Sequence, residues 1–260
     1  MKMRKNLSLM GPVDGHAHLD GLDHLDDLLA DARARGVHAI IGVGMNLESN
    51  KKILDIARQH RGFVFPAIGF HPWDVREETV DETFAFLEAH LNEVVALGEV
   101  GLDYKVKVKK TLQREVFERI VQLAAASDIP LILHSRLSYK RVFSTVVKYG
   151  VKKAVFHWYA GPADILENVL AAGYHISATP ALLYSEPHRE AIRTAPLERI
   201  LLETDCPVSF RGRESTPSDV LVTLDQVSRI KGADPAEVAA VTTAEARALF
   251  SLEGHCEEFE

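Results

Sequence analysis

Eight short apolar segments, each separated from the next by a stretch with helical periodicity, constrain the fold of this chain more than any other feature. The segments are rich in β-branched residues and almost continuously hydrophobic, as parallel strands covered on both faces are. They lie at residues 11–16, 37–44, 63–69, 94–99, 130–134, 153–157, 174–178 and 199–203. Regular alternation of strand and helix through eight units predicts an α/β fold, a (β/α)8 TIM barrel, with a doubly wound open sheet as the alternative.

The segments between the strands have the periodicity of amphipathic helices. Helices are predicted at residues 22–35, 47–59, 80–91, 111–126, 138–149, 162–172, 186–194 and 218–231, with a ninth at 235–250. Glycine follows four of them, at Gly36, Gly62, Gly150 and Gly173, where a helix end favours a residue that tolerates positive φ. The length of 260 residues and the hydrophobic content of 47% fit a single barrel domain, with a core at about residues 11–251 and a short tail at 252–260.

Charge and composition exclude several classes of protein. The net charge of −7 argues against a protein that coats duplex nucleic acid nonspecifically, since such proteins carry a basic surface. A local basic rim or bound metal ions would still permit a phosphate-bearing substrate. The two cysteines form no Cys-x-x-Cys motif, which disfavours a disulfide framework or a cysteine zinc site. No apolar run approaches the ~20 residues that span a bilayer, so we expect a cytoplasmic protein without a membrane partner.

A pair of histidines, His16 and His18, marks the end of the first strand in the run Val-Asp-Gly-His-Ala-His-Leu-Asp. Residues i and i+2 of a strand point to the same face, so both imidazoles can reach one cation. Further metal-ligand residue types lie at or just past the ends of later strands, at Glu99, His134, His157 and Asp205. Each of these alone is as well explained by a helix cap or an ion pair. Because active sites of such barrels lie at the carboxyl ends of the strands, together they predict a metal site there.

The predicted ligands suggest two metal ions rather than one. Two adjacent cations need a shared anion to offset their repulsion, and Glu99 on the fourth strand is the natural bridge. The hypothesis is that His16, His18, Glu99 and Asp205 surround one divalent cation, and Glu99, His134 and His157 the other. Asp205 can also accept a proton from an attacking water, which makes Asp205 and Glu99 the predicted catalytic residues. The donor set suits Zn, Fe, Mn, Co, Ni or Mg and leaves the identity of the metal open.

Other polar residues near the strand ends are candidates for substrate contacts. His71, in Gly-Phe-His-Pro-Trp, either binds substrate phosphate or orients a ligand, or it only shapes a turn. The position of Arg136, two residues after His134 at a strand end, favours a role in binding an oxyanion over that of a solvated arginine at a helix start. Asp103 and Tyr104 follow Glu99 on the same segment, where they contact substrate or support the site. Cys206 has no histidine base beside it in the sequence, which argues against a nucleophilic cysteine.

Six motifs occur in an order that resembles the TatD-like metal-dependent deoxyribonucleases, a family of the amidohydrolase superfamily. They are Asp-Gly-His-Ala-His-Leu-Asp, Gly-Phe-His-Pro, Gly-Glu-Val-Gly-Leu-Asp-Tyr, His-Ser-Arg, His-Trp-Tyr-Ala-Gly and Leu-Leu-Glu-Thr-Asp-Cys-Pro, and the resemblance runs from about Val13 to Phe250. It implies metal-dependent hydrolysis of phosphodiester bonds, often as a 3′-to-5′ exonuclease, with single-stranded or damaged DNA as substrate. By position it supports the same six metal ligands, with His71 and Arg136 as substrate contacts.

The chain departs from the usual motifs of this family where substrate walls are expected. Lys105 and Val106 follow Gly-Leu-Asp-Tyr, Leu137 and Ser138 follow His-Ser-Arg, and the loop 207–217 is shorter and altered. These departures keep a small-molecule amidohydrolase or phosphoesterase as the alternative, although the lack of a bridging lysine on the fourth strand weighs against the lysine-bridged amidohydrolases. A binding module without catalysis is a third possibility that the six ligand-type residues disfavour.

Overall fold

The protein forms a parallel eight-stranded barrel. The computed structural model describes residues 11–210 and 212–252. The strands, each paired with the next in the chain, are β1 (Val13–Ala17), β2 (Ala39–Val43), β3 (Val64–Ile68), β4 (Ala96–Asp103), β5 (Leu131–Arg136), β6 (Ala154–Phe156), β7 (His175–Ala178) and β8 (Ile200–Leu202). Beyond β8 the chain meets β1, where His18 N donates to Cys206 O at 2.8 Å and Asp205 N donates to His16 O at 2.9 Å. The predicted (β/α)8 fold is therefore confirmed, and the open sheet is wrong.

Helices follow the strands in the predicted alternation. They are α1 (Leu25–Ala34), α2 (Leu47–Gln59), α3 (Val80–Ala89), α4 (Lys110–Ser127), α5 (Tyr139–Lys148), α6 (Ala163–Ala171), α7 (Glu186–Thr194), α8 (Val220–Lys231) and α9 (Pro235–Phe250). Three helices with a side-chain cap at their start have the predicted bounds. The side chain of Asn46 accepts hydrogen bonds from two backbone amides at the start of α2. The side chains of Ser185 and Asp234 each accept one from a backbone amide at the starts of α7 and α9. Helix α1 starts three residues later than predicted, after a 3-10 turn at Leu19–Gly21.

The strands separate two layers of apolar side chains. On β5, Leu131 and Leu133 belong to the large cluster between strands and helices, whereas Ile132 belongs to a second cluster inside the barrel. This alternation follows from the two-residue period of a strand. His134 is two residues after Ile132 on the same strand and points to the same face, so its imidazole lies on the interior side.

Helix α9 closes the amino-terminal end of the barrel. Its residues Ala246, Leu249 and Phe250 share one buried cluster with side chains near the strand starts, among them Val13 and Ala39. Phe250 is 1% exposed. One end of the barrel is thus sealed by apolar packing, and the opposite end is open to hold a site.

Strand β4 is longer than predicted. The sequence placed its end at Glu99, but pairing with β5 continues through Gly101 beside His134 to Asp103 beside Arg136, with a register shift between residues 97 and 100. Gly101 permits this close approach, because a Cβ at its position would lie 2.0 Å from the carbonyl oxygen of His134. Glu99 therefore projects from the middle of a strand rather than from its end.

The altered loop after β8 contains a small antiparallel hairpin that the sequence did not predict, β9 (Ser209–Phe210) and β10 (Arg213–Glu214). Arg213 anchors it through two hydrogen bonds to Asp219, at 2.6 and 2.9 Å. Apart from Leu252, the predicted tail lies outside the described residues. None of the helices in the described part of the chain combines the length and the apolar character that crossing a membrane requires.

Candidate metal centre

Glu99 lies at the centre of a buried group of imidazoles at the open end of the barrel. Its Oε2 is 3.5 Å from His16 Nε2 and 3.4 Å from His18 Nε2. Its Oε1 is 2.6 Å from His134 Nδ1, 2.8 Å from His157 Nε2 and 3.3 Å from His71 Nε2. Each oxygen of one carboxylate therefore faces a different set of nitrogens.

Asp205 completes the group on the side of His16 and His18. Its Oδ1 is 3.5 Å from the Nε2 atom of each histidine, and the two Nε2 atoms lie 3.1 Å apart. Asp205 adopts a φ of +53°, an uncommon conformation for a non-glycine residue, and its backbone N–H donates to the carbonyl oxygen of His16. His18 Nδ1 lies 3.0 Å from the carbonyl oxygen of Val43, to which it donates. That bond turns Nε2 of His18 toward Glu99 and Asp205, where it can act as a ligand once a cation displaces its proton.

Two further carboxylates hold the histidines on the other side. Asp103 Oδ2 lies 3.4 Å from His134 Nε2, and Glu203 Oε1 lies 3.4 Å from His157 Nδ1. Glu203 also accepts from the backbone N–H of Trp158 at 3.1 Å. Carboxylates behind metal-ligating histidines fix the ring orientation and raise the basicity of the ligand, and Asp103 and Glu203 stand in that position relative to His134 and His157.

The electrostatics of the group favour added positive charge. Burial lowers the pKa of His18, but the hydrogen bonds that it donates to the carboxylates of Asp205 and Glu99 outweigh burial and raise that pKa to about 10. Burial raises the pKa of Glu99, yet the surrounding imidazoles bring it well below its usual range. Asp205 likewise has a lowered pKa, because its imidazole neighbours outweigh burial. Both carboxylates are thus held ionised in a buried site, where a cation would be strongly attracted.

The donor atoms fit divalent metal ions. Three groups of three residues each bring one donor atom per residue within 4.8 Å of the others. Two of the groups share His16: His16 with His18 and Asp205, and His16 with His157 and Glu203. The third is His71 with Glu99 and His134. Nδ1 of His16 is buried and has no hydrogen-bond partner among the described residues, and the buried Nδ1 of His157 has only the 3.4 Å ion-pair contact with Glu203. Imidazole nitrogens with a few carboxylate oxygens are the donors that transition metals prefer. The structure thus brings together all six predicted ligands, with His71 and Glu203 added.

A cavity of about 840 Å³, the mouth cavity, opens over these residues. His71 and Arg136, two of the predicted substrate contacts, line it. Trp73 also lines it, with its indole Nε1 donating to Asp103 Oδ2 at 2.6 Å and 45% of the residue exposed. Asp103 itself is fully buried beneath Trp73, where it lies 3.6 Å from Arg136 Nη1. Tyr104 lines a neighbouring groove instead of this cavity.

Sequence analysis missed three residues that shape the site. Glu203 could have been found, since it is the last residue of the predicted strand 199–203, the kind of position that singled out His16, Glu99, His134 and His157. Asp14 accepts from the backbone N–H of Thr204 at 2.9 Å and from its hydroxyl at 2.7 Å, which ties β1 to the chain after β8. The contact of Trp73 with Asp103 joins residues far apart in the chain, and no local pattern reveals it.

Comparison with known proteins agrees with this geometry. A family model described as TatD related DNase matches residues 13–251. The chain is 30% identical over 260 residues to Deoxyribonuclease TATDN3 of Homo sapiens, a match covering 93% of this chain and 95% of the relative. It is 32% identical over 256 residues to the uncharacterized metal-dependent hydrolase YcfH of Escherichia coli (strain K12), covering 93% and 96%.

Solved structures show the same fold. YJJV, a TatD homolog from Escherichia coli k12, superposes with a TM-score of 0.84 at 25% identity, covering 92% of this chain and 98% of the other. A TatD family hydrolase from Entamoeba histolytica superposes with a TM-score of 0.82 at 22% identity, covering 93% and 98%. The resemblance predicted from six short motifs is confirmed, and the chain belongs to the TatD related DNase family.

Proposed function

We propose that this protein hydrolyses phosphodiester bonds in DNA with the help of two divalent cations held at the open end of the barrel. The observation that carries the proposal is the position of Glu99, whose two oxygens face separate sets of imidazole nitrogens. A carboxylate placed in this way can bind two cations at once and offset their mutual repulsion.

The residues divide into two ligand sets. His16, His18, Asp205 and Oε2 of Glu99 would hold one cation. Oε1 of Glu99 with His134 and His157 would hold the other, and Nε2 of His71 lies close enough to Oε1 to join this second set. Asp103 and Glu203 act as positioning residues, because each contacts the far nitrogen of a ligating histidine.

Catalysis requires a base and charge stabilisation. When bound, divalent cations lower the pKa of a water molecule and neutralise charge on the phosphoryl group. Asp205 lines the mouth cavity and is held ionised, so its carboxylate can accept the proton of the attacking water. The guanidinium of Arg136, which lines the same cavity, can donate to a non-bridging phosphate oxygen.

The choice of DNA as substrate is supported by relatives, one of which is named Deoxyribonuclease TATDN3. The mouth cavity adds physical support. It combines an arginine, Arg136, with the half-exposed ring of Trp73, and a phosphate and a base or sugar can use these together.

Degradation of 5′-labelled single-stranded DNA with added Mg²⁺, Mn²⁺ or Co²⁺ tests the proposal. Wild-type protein should cleave the DNA, EDTA should abolish cleavage, and Asp205→Ala should lose activity by about 10²- to 10⁴-fold, the range for loss of a general base. The control is Lys152→Ala with Lys153→Ala, two cations before β6 at the opposite end of the barrel, which should cleave like wild type. Equal activity of Asp205→Ala would refute the role of Asp205. Turnover of esters or amides, with none of DNA, would favour the small-molecule alternative.

A further inference from the structure

A second groove of about 900 Å³ adjoins the mouth cavity. Tyr139 and Ala160 line both, so the two spaces are continuous at these residues. Tyr104, Lys140 and Arg141 form other parts of its wall. We call this space the side groove. It lies between the segment after β4, the start of α5 and the segment after β6.

Cations without acidic partners gather around the side groove. Among the described residues, Lys140 and Arg141 in its wall form no ion pair, nor do Lys105, Lys107 and Lys110 in the segment after Tyr104. Lys110 Nζ instead lies 4.8 Å from the centre of the Tyr104 ring. One acidic residue, Asp164, lines the groove.

Several cations elsewhere on the surface are paired with acids. Arg189 and Arg193 on α7 each pair with an acid, as do Lys152 and Lys153 at the far end of the barrel. The net charge of the chain is −7, so five cations that form no ion pair, two in the groove wall with Asp164 and three in the segment after Tyr104, create a local positive potential in an otherwise acidic protein. Phosphates are the groups that such a potential attracts.

The aromatic ring at the boundary is held in place by packing. Tyr139 packs against Tyr159 with ring centroids 5.0 Å apart. Gly161 lies close to the Tyr139 ring, where a Cβ would come within 2.7 Å of Cγ. Any larger residue at position 161 would displace the ring. A fixed tyrosine at the boundary and Tyr104 within the groove offer faces on which successive bases can stack.

We propose that the side groove binds the nucleotides flanking the cleaved bond of single-stranded DNA. The phosphates would contact Lys140 and Arg141, and the bases would stack on Tyr139 and Tyr104. This inference rests on the proposed function, since it extends the path of the substrate from Arg136 in the mouth cavity across Tyr139. Unpaired bases are required, because stacking on these rings uses faces that a duplex hides.

The test measures binding separately from cleavage. A fluorescein-labelled single-stranded 12-mer with a phosphorothioate backbone, which resists cleavage, is titrated with the protein in Mg²⁺ at several KCl concentrations while anisotropy is recorded. Lys140→Ala with Arg141→Ala should weaken binding about tenfold. It should also reduce the slope of log affinity against log salt by about 1.4, the value for two phosphate contacts on a single strand. The matched control is Lys152→Ala with Lys153→Ala, which removes the same charge at the far end of the barrel and should change neither quantity.

Cleavage of substrates of different length gives the second readout. The ratio of kcat/KM for an unmodified 12-mer to that for a dinucleotide should fall about tenfold in the groove variant, since a dinucleotide does not reach the groove. Unchanged affinity and salt slope in the groove variant, or equal loss in the control pair, would overturn the inference. If wild-type protein cleaves no phosphodiester but the groove variant still loses affinity and slope, the proposed function fails while the groove stands.

Discussion

The two ends of the barrel, built on the same strands, bury opposite kinds of side chain: apolar ones at one end and ionised ones at the other. At the amino-terminal end, Val13 and Ala39 pack with Phe250 of α9 in an apolar cluster that excludes water. At the carboxyl end, Glu99 and Asp205 are also buried, but they are ionised and surrounded by imidazoles. Burial of apolar surface stabilises a fold, whereas burial of charge costs free energy unless the charge is paired. The apolar packing at the closed end therefore stabilises the fold, and this stabilisation offsets the free-energy cost of burying Glu99 and Asp205 at the open end.

Removing apolar packing at the closed end should have the largest effect on stability. Phe250→Ala is expected to lower the free energy of unfolding by about 3–5 kcal/mol, because it deletes a buried ring and leaves a cavity. Urea denaturation followed by circular dichroism measures this quantity. The folded fraction should keep its wild-type kcat, since α9 lies at the end of the barrel opposite the proposed metal centre. A loss below about 1 kcal/mol would show that α9 is not part of the core.

Changing a positioning residue at the open end should affect activity far more than stability. Asp103→Asn removes the negative charge behind His134 while keeping a side chain that can accept from Trp73. We expect kcat/KM on single-stranded DNA to fall about 10- to 100-fold, the usual cost of losing a carboxylate behind a metal ligand. Asp81→Asn, at an exposed acid on α3, is the matched control. Loss of stability as large as that of Phe250→Ala, without loss of metal affinity or activity, would assign Asp103 to the fold instead.

The smallest effect is expected at the rim of the mouth cavity. Trp73→Leu removes a half-exposed aromatic face together with the indole hydrogen bond to Asp103, and it changes none of the proposed ligands. KM for single-stranded DNA should rise about fivefold, near the lower limit for stacking of one base, and kcat should change little. Trp73→Phe should retain part of the wild-type KM because it keeps a ring. Identical KM values in wild type and Trp73→Leu would remove Trp73 from the substrate path.

The strands and helices that form both ends of the barrel could be predicted from the sequence, because hydrophobic periodicity and capping residues act locally. Helix α2 has its predicted bounds since Asn46 caps it. The six candidate ligands were identified because each falls at or just past the end of a predicted strand. The details that failed depend on contacts between strands. The continuation of β4 past Glu99 requires the pairing of Gly101 with β5, and the support of His157 by Glu203 requires β6 and β8 to lie near each other in space.

The bridging role of Glu99 is the central claim, and metal content tests it most directly. Protein purified without chelator and dialysed against a single divalent metal should contain two ions per chain by elemental analysis. Glu99→Gln, which keeps the size of the side chain but removes its charge, should contain at most one and should show the wild-type circular dichroism spectrum. One ion per chain in wild type, or two in both proteins, would contradict the account.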